Sequence, residues 1–427
     1  MKINTKINFP PLKKTLRQLI GPSVVFVALS LNGGEMLLWP DLVARYGLQI
    51  LWIVPLILIL QYGVNIEISR YTLVTGENTL SALYSQYPFF KPLVIGSIFI
   101  ALLWPAWISI GGNILAYTFG FGNLGALTSF ILLMLIMLLW KSKSSYLIIE
   151  LLTKVGLTTL LIAILYLLFT QLNLELIKNN FNYNFNSIDR SDKLLYLSAL
   201  AFGGVTGVLN LVQSTWISNK KYGVTSLSKD TVIDYNSEES IKNYKKWFKA
   251  IATEHFILFW LGNIIGIFLI SLIAIITLQG QSITGFNILK FQVDYFKNIN
   301  PFLGIVWGLC IFILFFMAQV TILDAGGHLL NSVLKQKSSS YYTIIIASIG
   351  LVILGLSVIN PKLNQPSTLL QISAITSSFI MVLYPLLILN LNQQVMPDYA
   401  KPKLWNKILV IGCVILYFYF TVTTILN

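Results

Sequence analysis

The sequence predicts an all-α polytopic membrane protein with about eleven transmembrane helices. Of its 427 residues, 56% are hydrophobic and only 11% are charged, and apolar stretches of about twenty residues recur between short polar loops. A helix of about 20 apolar residues crosses the hydrocarbon core of a bilayer, so recurring runs of this length indicate several spans. The predicted spans are roughly residues 20–45, 50–73, 92–119, 124–140, 146–170, 193–218, 250–277, 302–330, 342–359, 367–391 and 405–426.

Basic residues are unevenly distributed between the two sides of this topology. With the N-terminus inside, the inner loops hold 21 of the 29 Lys and Arg residues and the outer loops hold 7. Because cytoplasmic loops carry the excess of basic residues, we expect a cytosolic N-terminus, a C-terminus outside and a location in the plasma membrane. The topology accounts for the net charge of +13, so the expected partner is the lipid bilayer and not a nucleic acid.

We expect a single transmembrane domain over residues 1–427. Residues 1–19 are predicted to be a cytosolic N-terminal segment, 171–192 an outer loop and 219–249 an inner loop with a short surface helix. None of these segments is long enough to form a soluble domain. The chain has no zinc-protease, nucleophile-elbow or phosphate-binding motif. We therefore expect neither an enzyme nor a cofactor.

Two of the predicted spans are interrupted by glycine-rich segments. Span one contains Asn32-Gly33-Gly34-Glu35, followed by Pro40, and span six contains Gly203-Gly204-Val205-Thr206-Gly207. Unwound backbone at membrane depth is tolerated only where it faces protein or a cavity. One glycine pair alone would indicate close helix packing. Breaks in spans one and six, which are equivalent positions of a five-plus-five inverted repeat, instead indicate a substrate site at the bilayer midplane.

The candidate substrate-binding residues lie at these breaks and just beyond them. Glu35 is the strongest candidate, because an ionisable group at this depth normally carries function; the alternatives are an ion pair or a position facing an outer vestibule. The amide side chains can bind a hard cation or a polar substrate, with interhelical hydrogen bonding as the alternative. The predicted set is Asn32, Gly33, Gly34, Glu35, Gly204, Thr206, Gly207, Asn210, Gln213 and Gln371.

Several charged pairs are candidates for proton coupling or for structural contacts. Asp324 and His328 are four residues apart on one helix face, and a carboxylate beside an imidazole can relay protons near neutral pH. The alternative is that both simply face water. Glu35, Asp324 and His328 are therefore the proton-coupling candidates. Glu67–Arg70 is interpreted as a structural or gate ion pair, and Glu254–His255 is expected at the membrane interface.

Motifs in several parts of the chain resemble those of the Nramp family of proton-coupled divalent-metal transporters, which have a LeuT-type fold. They are Gly21-Pro22, Arg45-Tyr46-Gly47, Thr75-Gly76-Glu77-Asn78-Thr79-Leu80, and the stretch from Ser377-Ser378-Phe379 to Tyr384-Pro385-Leu386. Their order and spacing cover most of the chain. The resemblance implies a secondary transporter with helices one and six broken, with Asn32 and Gln371 at ligand-bearing positions and a divalent cation as substrate.

The functional motifs depart from that family. Its Asp-Pro-Gly-Asn is replaced by Asn32–Glu35, and its Met-Pro-His in span six is replaced by Gly207–Leu209, so the soft thioether that selects transition metals is missing. Span three reads Trp104–Ile108 where the family carries proton-transfer acids, and span nine lacks the family's arginines. Cys310 and Cys413 lie in apolar spans, which argues against a metal-thiolate site. The chain resembles a divergent Nramp-related transporter, with Glu35 as its single candidate metal ligand.

Two classes of function remain open from the sequence. The first is a secondary active transporter working by alternating access, whose substrate is a cation such as Mg²⁺ or a larger polar or organic molecule. Protons are its candidate coupling ion, and sodium-coupled or uncoupled transport is the alternative. The second is a transport-inactive membrane sensor or scaffold that keeps the same fold.

Overall fold

The computed structural model of the chain is built from helices joined by short connections. Among the described residues, extended pairing is limited to an isolated bridge between Ile7 and Ile233. The description covers residues 6–31, 33–101, 105–141, 145–181, 188–189, 192–205, 207–228, 230–281, 283–359 and 366–426. The main α-helices are α1 (Pro22–Ser30), α2 (Gly33–Tyr46), α3 (Ile53–Thr75), α4 (Thr79–Gln86), α5 (Phe90–Ala101), α6 (Ala106–Thr118), α7 (Gly125–Met137), α8 (Ser145–Gln171), α9 (Leu174–Phe181), α10 (Lys193–Ala201), α11 (Gln213–Asn219), α12 (Glu238–His255), α13 (Gly262–Leu278), α14 (Phe286–Ile299), α15 (Pro301–Leu334), α16 (Ser339–Ile359), α17 (Pro366–Val395) and α18 (Leu404–Leu426).

The predicted polytopic helical membrane architecture is confirmed. In the described part of the chain, eight helical segments are long and apolar enough to cross a membrane, and the bent pair α1–α2 supplies a ninth if it is counted as one span. The other two predicted spans, 92–119 and 193–218, are each divided between two shorter α-helices. In the first of them α6 begins directly after Pro105, whose ring cannot continue a preceding helix.

The first span is broken, but over a shorter stretch than the sequence predicted. The axes of α1 and α2 differ by 53° across the break. Asn32 lies outside the described residues, whereas Gly33, Gly34 and Glu35 form the first turn of α2. A carboxylate in the first turn is favourable because the helix dipole places partial positive charge there. The predicted unwinding at Gly33–Glu35 is therefore wrong, since these residues are helical.

The sixth span is broken at the predicted position. Helix α10 ends at Ala201, and the chain resumes as a 3₁₀ segment, Gly207–Val212, which leads into α11. Gly207 has a φ of +65°, and a Cβ added there would lie 2.9 Å from Oγ of Ser377. Glycine is required for both reasons, because it adopts a left-handed conformation readily and leaves room for α17.

The seventh span is longer than predicted and extends well into the predicted inner loop. Helices α12 and α13 are joined through a π-helical turn, Phe256–Leu261, into one helical stretch. The predicted inner loop 219–249 therefore ends in a long helix, not a short surface helix. Ser237 caps α12 by accepting a hydrogen bond from the backbone N–H of Ser240 at 3.2 Å.

The N-terminal segment is packed against α12. The backbone N–H of Phe9 donates to Oγ of Ser240 at 2.8 Å, and its carbonyl accepts from Nδ2 of Asn243 at 2.9 Å. Nε1 of Trp247 donates to the Pro10 carbonyl at 3.0 Å. Phe9 is fully buried and belongs to the same apolar core cluster as Phe420 of α18. The division into domains nevertheless stays a prediction.

Candidate functional site

The two broken spans pack against each other half by half. Helix α1 contacts α11 on one side of the breaks, and α2 contacts α10 on the other. Phe26 of α1 meets Trp216 of α11 edge to face, with ring centroids 6.2 Å apart. The first half of span one, α1, therefore pairs with the second half of span six, α11, and α2 pairs with α10, with the breaks between the two pairs.

Asn210 lies just past the second break and faces α17. Its Nδ2 donates to Oη of Tyr384 at 2.8 Å and contacts Sδ of Met381 at 3.4 Å. Its Oδ1 is buried and has no hydrogen-bond partner among the described residues. The sequence predicted that no soft sulfur ligand reaches this region. That prediction is wrong, because the Met381 thioether lies next to Asn210. This sulfur belongs to span ten and contacts Asn210 of span six.

A row of polar side chains on α3 faces the second break, and the sequence analysis missed it. Gln61, Asn65 and Ser69 are four residues apart, so they share one face of α3. Gln213 donates from Nε2 to Oγ of Ser69 at 3.1 Å, and a Cβ on Gly204 would overlap Gln61. The available signal was the four-residue spacing of polar residues inside an otherwise apolar span.

These amides retain unused hydrogen-bonding capacity in the interior. Within the described structure, Oε1 of Gln61, Oε1 of Gln213 and both amide atoms of Asn65 are buried without a hydrogen-bond partner. Buried polar groups are normally paired, and an unmade buried hydrogen bond costs about 1–3 kcal/mol. The row therefore offers neutral oxygens and amide donors to a polar ligand or to water.

The structure describes the side chains of the other predicted substrate-binding residues only in part. Glu35 is 1% exposed, so the alternative of a side chain open to an outer vestibule is wrong. Asn32 and Thr206 lie outside the described residues. Gln371 belongs to α17, but its side chain lies outside the described part of the structure.

Asp324 and His328 lie close together, and the buried Asp324 accepts hydrogen bonds from two tryptophans. The carboxylate of Asp324 accepts from Nε1 of Trp140 at 3.3 Å and from Nε1 of Trp216 at 3.1 Å. Nε2 of His328 lies 3.7 Å from Oδ1 of Asp324, and the imidazole is 18% exposed. Asp324 is buried, so the alternative that both residues simply face water is wrong for the aspartate.

The Glu67–Arg70 pair is a buried clamp. Nε of Arg70 lies 3.0 Å from Oε2 of Glu67, and the guanidinium also donates to the Ala400 carbonyl at 2.8 Å. Amides of Asn392 and Asn406 donate to the Glu67 carboxylate at 2.8 and 2.7 Å. The pair thereby joins α3 to α17, α18 and the turn between them. The predicted ion pair is confirmed, and whether it is a structural or a gate contact stays a prediction.

Glu254 and His255, which were predicted at the membrane interface, are covered by neighbouring helices. Both residues are buried and meet Ser23 of α1: the Ser23 hydroxyl donates to the Glu254 carboxylate and lies 3.0 Å from Nδ1 of His255. The π-turn that follows His255 and the stacking of its ring on Phe259, 4.8 Å away, hold the imidazole inside the bundle. A hydropathy pattern locates the end of a span but not which face is covered by another helix.

An ionic network joins the end of α2 to the start of α10. Arg45 at the end of α2 lies 2.6 Å from Asp41 and 2.9 Å from Asp192, which directly precedes α10. Oη of Tyr46 donates to Asp192 at 2.8 Å. The network borders a cavity of about 770 Å³, also lined by Asp189. Helices α2 and α10 are thus joined by charge as well as by packing.

The described side chains form no group of three or more His, Cys, Asp or Glu residues that could hold a metal ion. Cys310 and Cys413 are free and buried. A cation at the breaks would therefore be held mainly by amide, hydroxyl and backbone oxygens, with at most a few charged or soft ligands.

The chain is similar in fold to several solved membrane proteins. A manganese transporter from Eremococcus coleocola, in complex with an aromatic bis-isothiourea compound, gives a TM-score of 0.67 at 13% identity, covering 99% of this chain and 90% of that one. MhsT in complex with L-phenylalanine gives 0.65 at 13% identity, with coverages of 97% and 99%. Mhp1, a nucleobase-cation-symport-1 family transporter with bromovinylhydantoin bound, gives 0.57 at 12% identity, with coverages of 98% and 94%.

No protein-family model matches the chain, and no curated protein matches it in sequence. The three solved proteins share the LeuT-type fold. The present chain therefore has the predicted LeuT-type fold, with spans one and six broken.

Proposed function

We propose that the protein is a secondary active transporter that works by alternating access around the breaks in spans one and six. The observation that carries this proposal is the pairing of the broken halves, α1 with α11 and α2 with α10, within a LeuT-type fold. Each pair can move on its own side of the membrane because the backbone between them is not a continuous helix. In this proposal the N-terminus is cytosolic, the C-terminus is outside and the membrane is the plasma membrane.

The substrate we propose is a cation bound mainly by oxygen, as in a divergent Nramp-like carrier. Glu35 would supply the charge, and the neutral oxygens of Asn210 and Gln213 would complete the coordination; both amide oxygens are buried without a hydrogen-bond partner in the described structure. Hard cations such as Mg²⁺ suit oxygen ligands of this kind. The other side chains of the proposed substrate site are Asn32, Thr206 and Gln371, together with the backbone of Gly33, Gly34, Gly204 and Gly207.

A larger polar or organic substrate is the alternative that the amide row supports. Gln61 and Asn65 extend the set of unpaired amides beyond what one small ion needs, and such groups suit a ligand with several donors and acceptors. Transport assays in proteoliposomes with a pH probe inside distinguish a cation substrate from a larger polar or organic one. The panel comprises Mn²⁺, Mg²⁺, Ca²⁺, amino acids and organic cations. Binding without flux of any substrate would replace the transporter proposal with a sensor.

We also propose that transition metals bind weakly. Sδ of Met381 is within 3.4 Å of Asn210 Nδ2 and within 3.2 Å of Tyr384 Oη, so two donors already occupy the sulfur. A soft ligand held in this way contributes little to metal selection. Calorimetry with Mn²⁺ should therefore give no micromolar binding, and Met381→Leu should leave any weak binding unchanged. Micromolar binding lost in Met381→Leu or Glu35→Gln would contradict this.

A further inference from the structure

Helix α1 is fastened to the seventh span at both of its ends. At its start, the Ser23 hydroxyl donates to the Glu254 carboxylate, and at its end the Ser30 hydroxyl donates to Oδ1 of Asn263 at 2.6 Å. The two serines are two helical turns apart, so they lie on one face. Helix α1 is only nine residues long, is buried along its whole length and ends at the bent break, so these hydrogen bonds add to its apolar packing and connect it specifically to α12 and α13.

Glu254 also acts as a cap for α1 supplied by another helix. Gly21 precedes α1 and has no side chain to cap it, and its backbone N–H points to Oε1 of Glu254 at 3.5 Å. The first N–H groups of a helix lack partners within the helix, and a carboxylate there is stabilised by the helix dipole. The charge of Glu254 therefore contributes directly to holding α1 in place.

His255 completes the arrangement and can carry its hydrogen on either ring nitrogen. Nδ1 faces Ser23 at 3.0 Å, while Nε2 is buried without a hydrogen-bond partner among the described residues. The ring lies between Phe259, 4.8 Å away, and Tyr62, 5.8 Å away, both nearly parallel to it. A buried imidazole nitrogen with no partner is unusual, and it can carry the ring hydrogen when Nδ1 acts as an acceptor.

The hydroxyl of Ser23 has a single proton, so the three groups adopt distinct hydrogen-bond patterns. With Glu254 ionised, Ser23 donates to the carboxylate, and His255 donates from Nδ1 to Ser23. When one proton is added to Glu254, its new O–H donates to Ser23, and Ser23 donates to Nδ1 of a His255 that now carries its hydrogen on Nε2. Both patterns are complete at Ser23, but Glu254 presents a negative charge to the start of α1 only in the first.

We propose that Ser23, Glu254 and His255 form a proton-binding site that fastens α1 to the seventh span when Glu254 is ionised and loosens α1 when Glu254 takes up a proton. Charge-assisted hydrogen bonds are about twice as strong as neutral ones, so protonation weakens both the Ser23 bond and the cap at Gly21. The proposal depends on the proposed function only in that α1 belongs to the inner half of span one.

A second carboxylate also lies beside the start of α1: a Cβ added at Gly21 would lie 3.1 Å from Nζ of Lys220 and 3.3 Å from Oε1 of Glu150. Glu150 is already paired with Lys220 at 2.8 Å and with Lys154 at 2.6 Å, so its charge does not take the place of the charge lost from Glu254. Lys14 donates to the backbone carbonyl of Lys220 and adds to this basic cluster. The other titratable groups facing the site from neighbouring elements are the phenols of Tyr62 on α3, Tyr146 on α8 and Tyr222 after α11.

Amide hydrogen exchange of the purified full-length protein tests the site without any substrate. Protection of the peptide covering residues 22–31 is measured from pH 5.5 to 8.5, with each rate corrected for the intrinsic pH dependence of exchange. In the unmodified protein we expect protection to fall about tenfold at the acid end. Glu254→Gln should show the low, acid-like protection at every pH, because the amide has no charge to lose.

Three further variants make the result specific. Glu254→Asp keeps a titratable group and should retain a pH dependence with a displaced midpoint. His255→Asn should also displace the midpoint, whereas Ser30→Ala should lower protection equally at all pH values. Unchanged protection of peptides in α15 and α18 confirms that each variant is folded. Flat protection in the unmodified protein, or an unaltered pH dependence in folded Glu254→Gln, would overturn the proposal even if the protein transports a substrate.

Discussion

Replacing Arg70 should be among the most destabilising single changes in the protein. Arg70 is buried and is the cation paired with the fully buried Glu67. Removing one partner of a buried ion pair leaves the other charge uncompensated, which costs about 3–5 kcal/mol. We expect Arg70→Met to lower the free energy of unfolding by about that amount, because Met fills similar volume but leaves the Glu67 carboxylate with only the amide donors of Asn392 and Asn406.

The geometry of the pair predicts an order among the variants. Arg70→Met also removes the donors to the Ala400 carbonyl and to Tyr244, and the guanidinium that lies 4.3 Å above the Phe248 ring. Glu67→Gln keeps an acceptor of similar shape, so its cost should be smaller. The double variant Glu67→Gln, Arg70→Met removes both charges, and its loss should be less than the sum of the two single losses.

Denaturant-induced unfolding in detergent micelles, followed by tryptophan fluorescence, measures these differences. Lys401→Gln provides the control, since Lys401 is paired with the fully exposed Asp398 and exposed pairs contribute little. The pKa of Asp398 is held below its usual value by its hydrogen bond to Lys401, so this pair is intact at neutral pH. The interpretation of a buried clamp would be refuted if the Arg70→Met variant were no less stable than the Lys401→Gln variant. It would also be refuted if the losses of the two single variants were additive in the double variant.

Three further predictions follow from the breaks and their outer closure. Gly207→Ala should lower the free energy of unfolding by about 1–3 kcal/mol through backbone strain, and by a further amount through the contact of the new Cβ with Ser377. Gly280→Ala is the control in the same denaturation assay and should cost less, because Gly280 has a similar φ of +80° but lies in open space. Equal losses of stability would show that the contact with Ser377 does not matter. Glu35→Gln should abolish pH-dependent uptake into proteoliposomes, and Asp324→Asn should slow it less; unaltered proton flux in both variants would favour a sodium-coupled or uncoupled carrier. Arg45→Gln should increase labelling of a cysteine placed at Ala44 from the outside, because the link between Asp41 and Asp192 is lost, and unchanged labelling would exclude an outer latch.

The fold was predictable because its main signals are local. Apolar stretches of membrane length recur, and the glycines of spans one and six mark both breaks. The local pattern did not predict how far the backbone unwinds, because Gly33–Glu35 contain two glycines and are nevertheless helical. Flexible residues allow an unwound backbone, but neighbouring helices decide whether it unwinds.

The candidate site was less predictable because its contacts are distant in sequence. Asn210 was a candidate for substrate binding or for interhelical hydrogen bonding, but the sequence did not identify its partner Tyr384, which is 174 residues away. Met381 was not expected, since the sulfur comes from a different span than the family resemblance suggested. Glu254 was assigned to the interface because it begins a span, and only tertiary packing shows that Ser23 covers it.

The two halves of span one are held by different kinds of interaction, and this difference affects how each side of the transporter opens. The second half, α2, is held to the start of α10 by Arg45, which is paired with two aspartates and remains partly exposed. Partly exposed ion pairs are screened by salt. The first half, α1, is held by buried hydrogen bonds from Ser23 and Ser30; salt does not reach these bonds, whereas in our proposal a proton on Glu254 weakens the bond from Ser23. A protein with this arrangement can release one half of the broken helix while the other stays fastened, and alternating access requires that the two sides not open together.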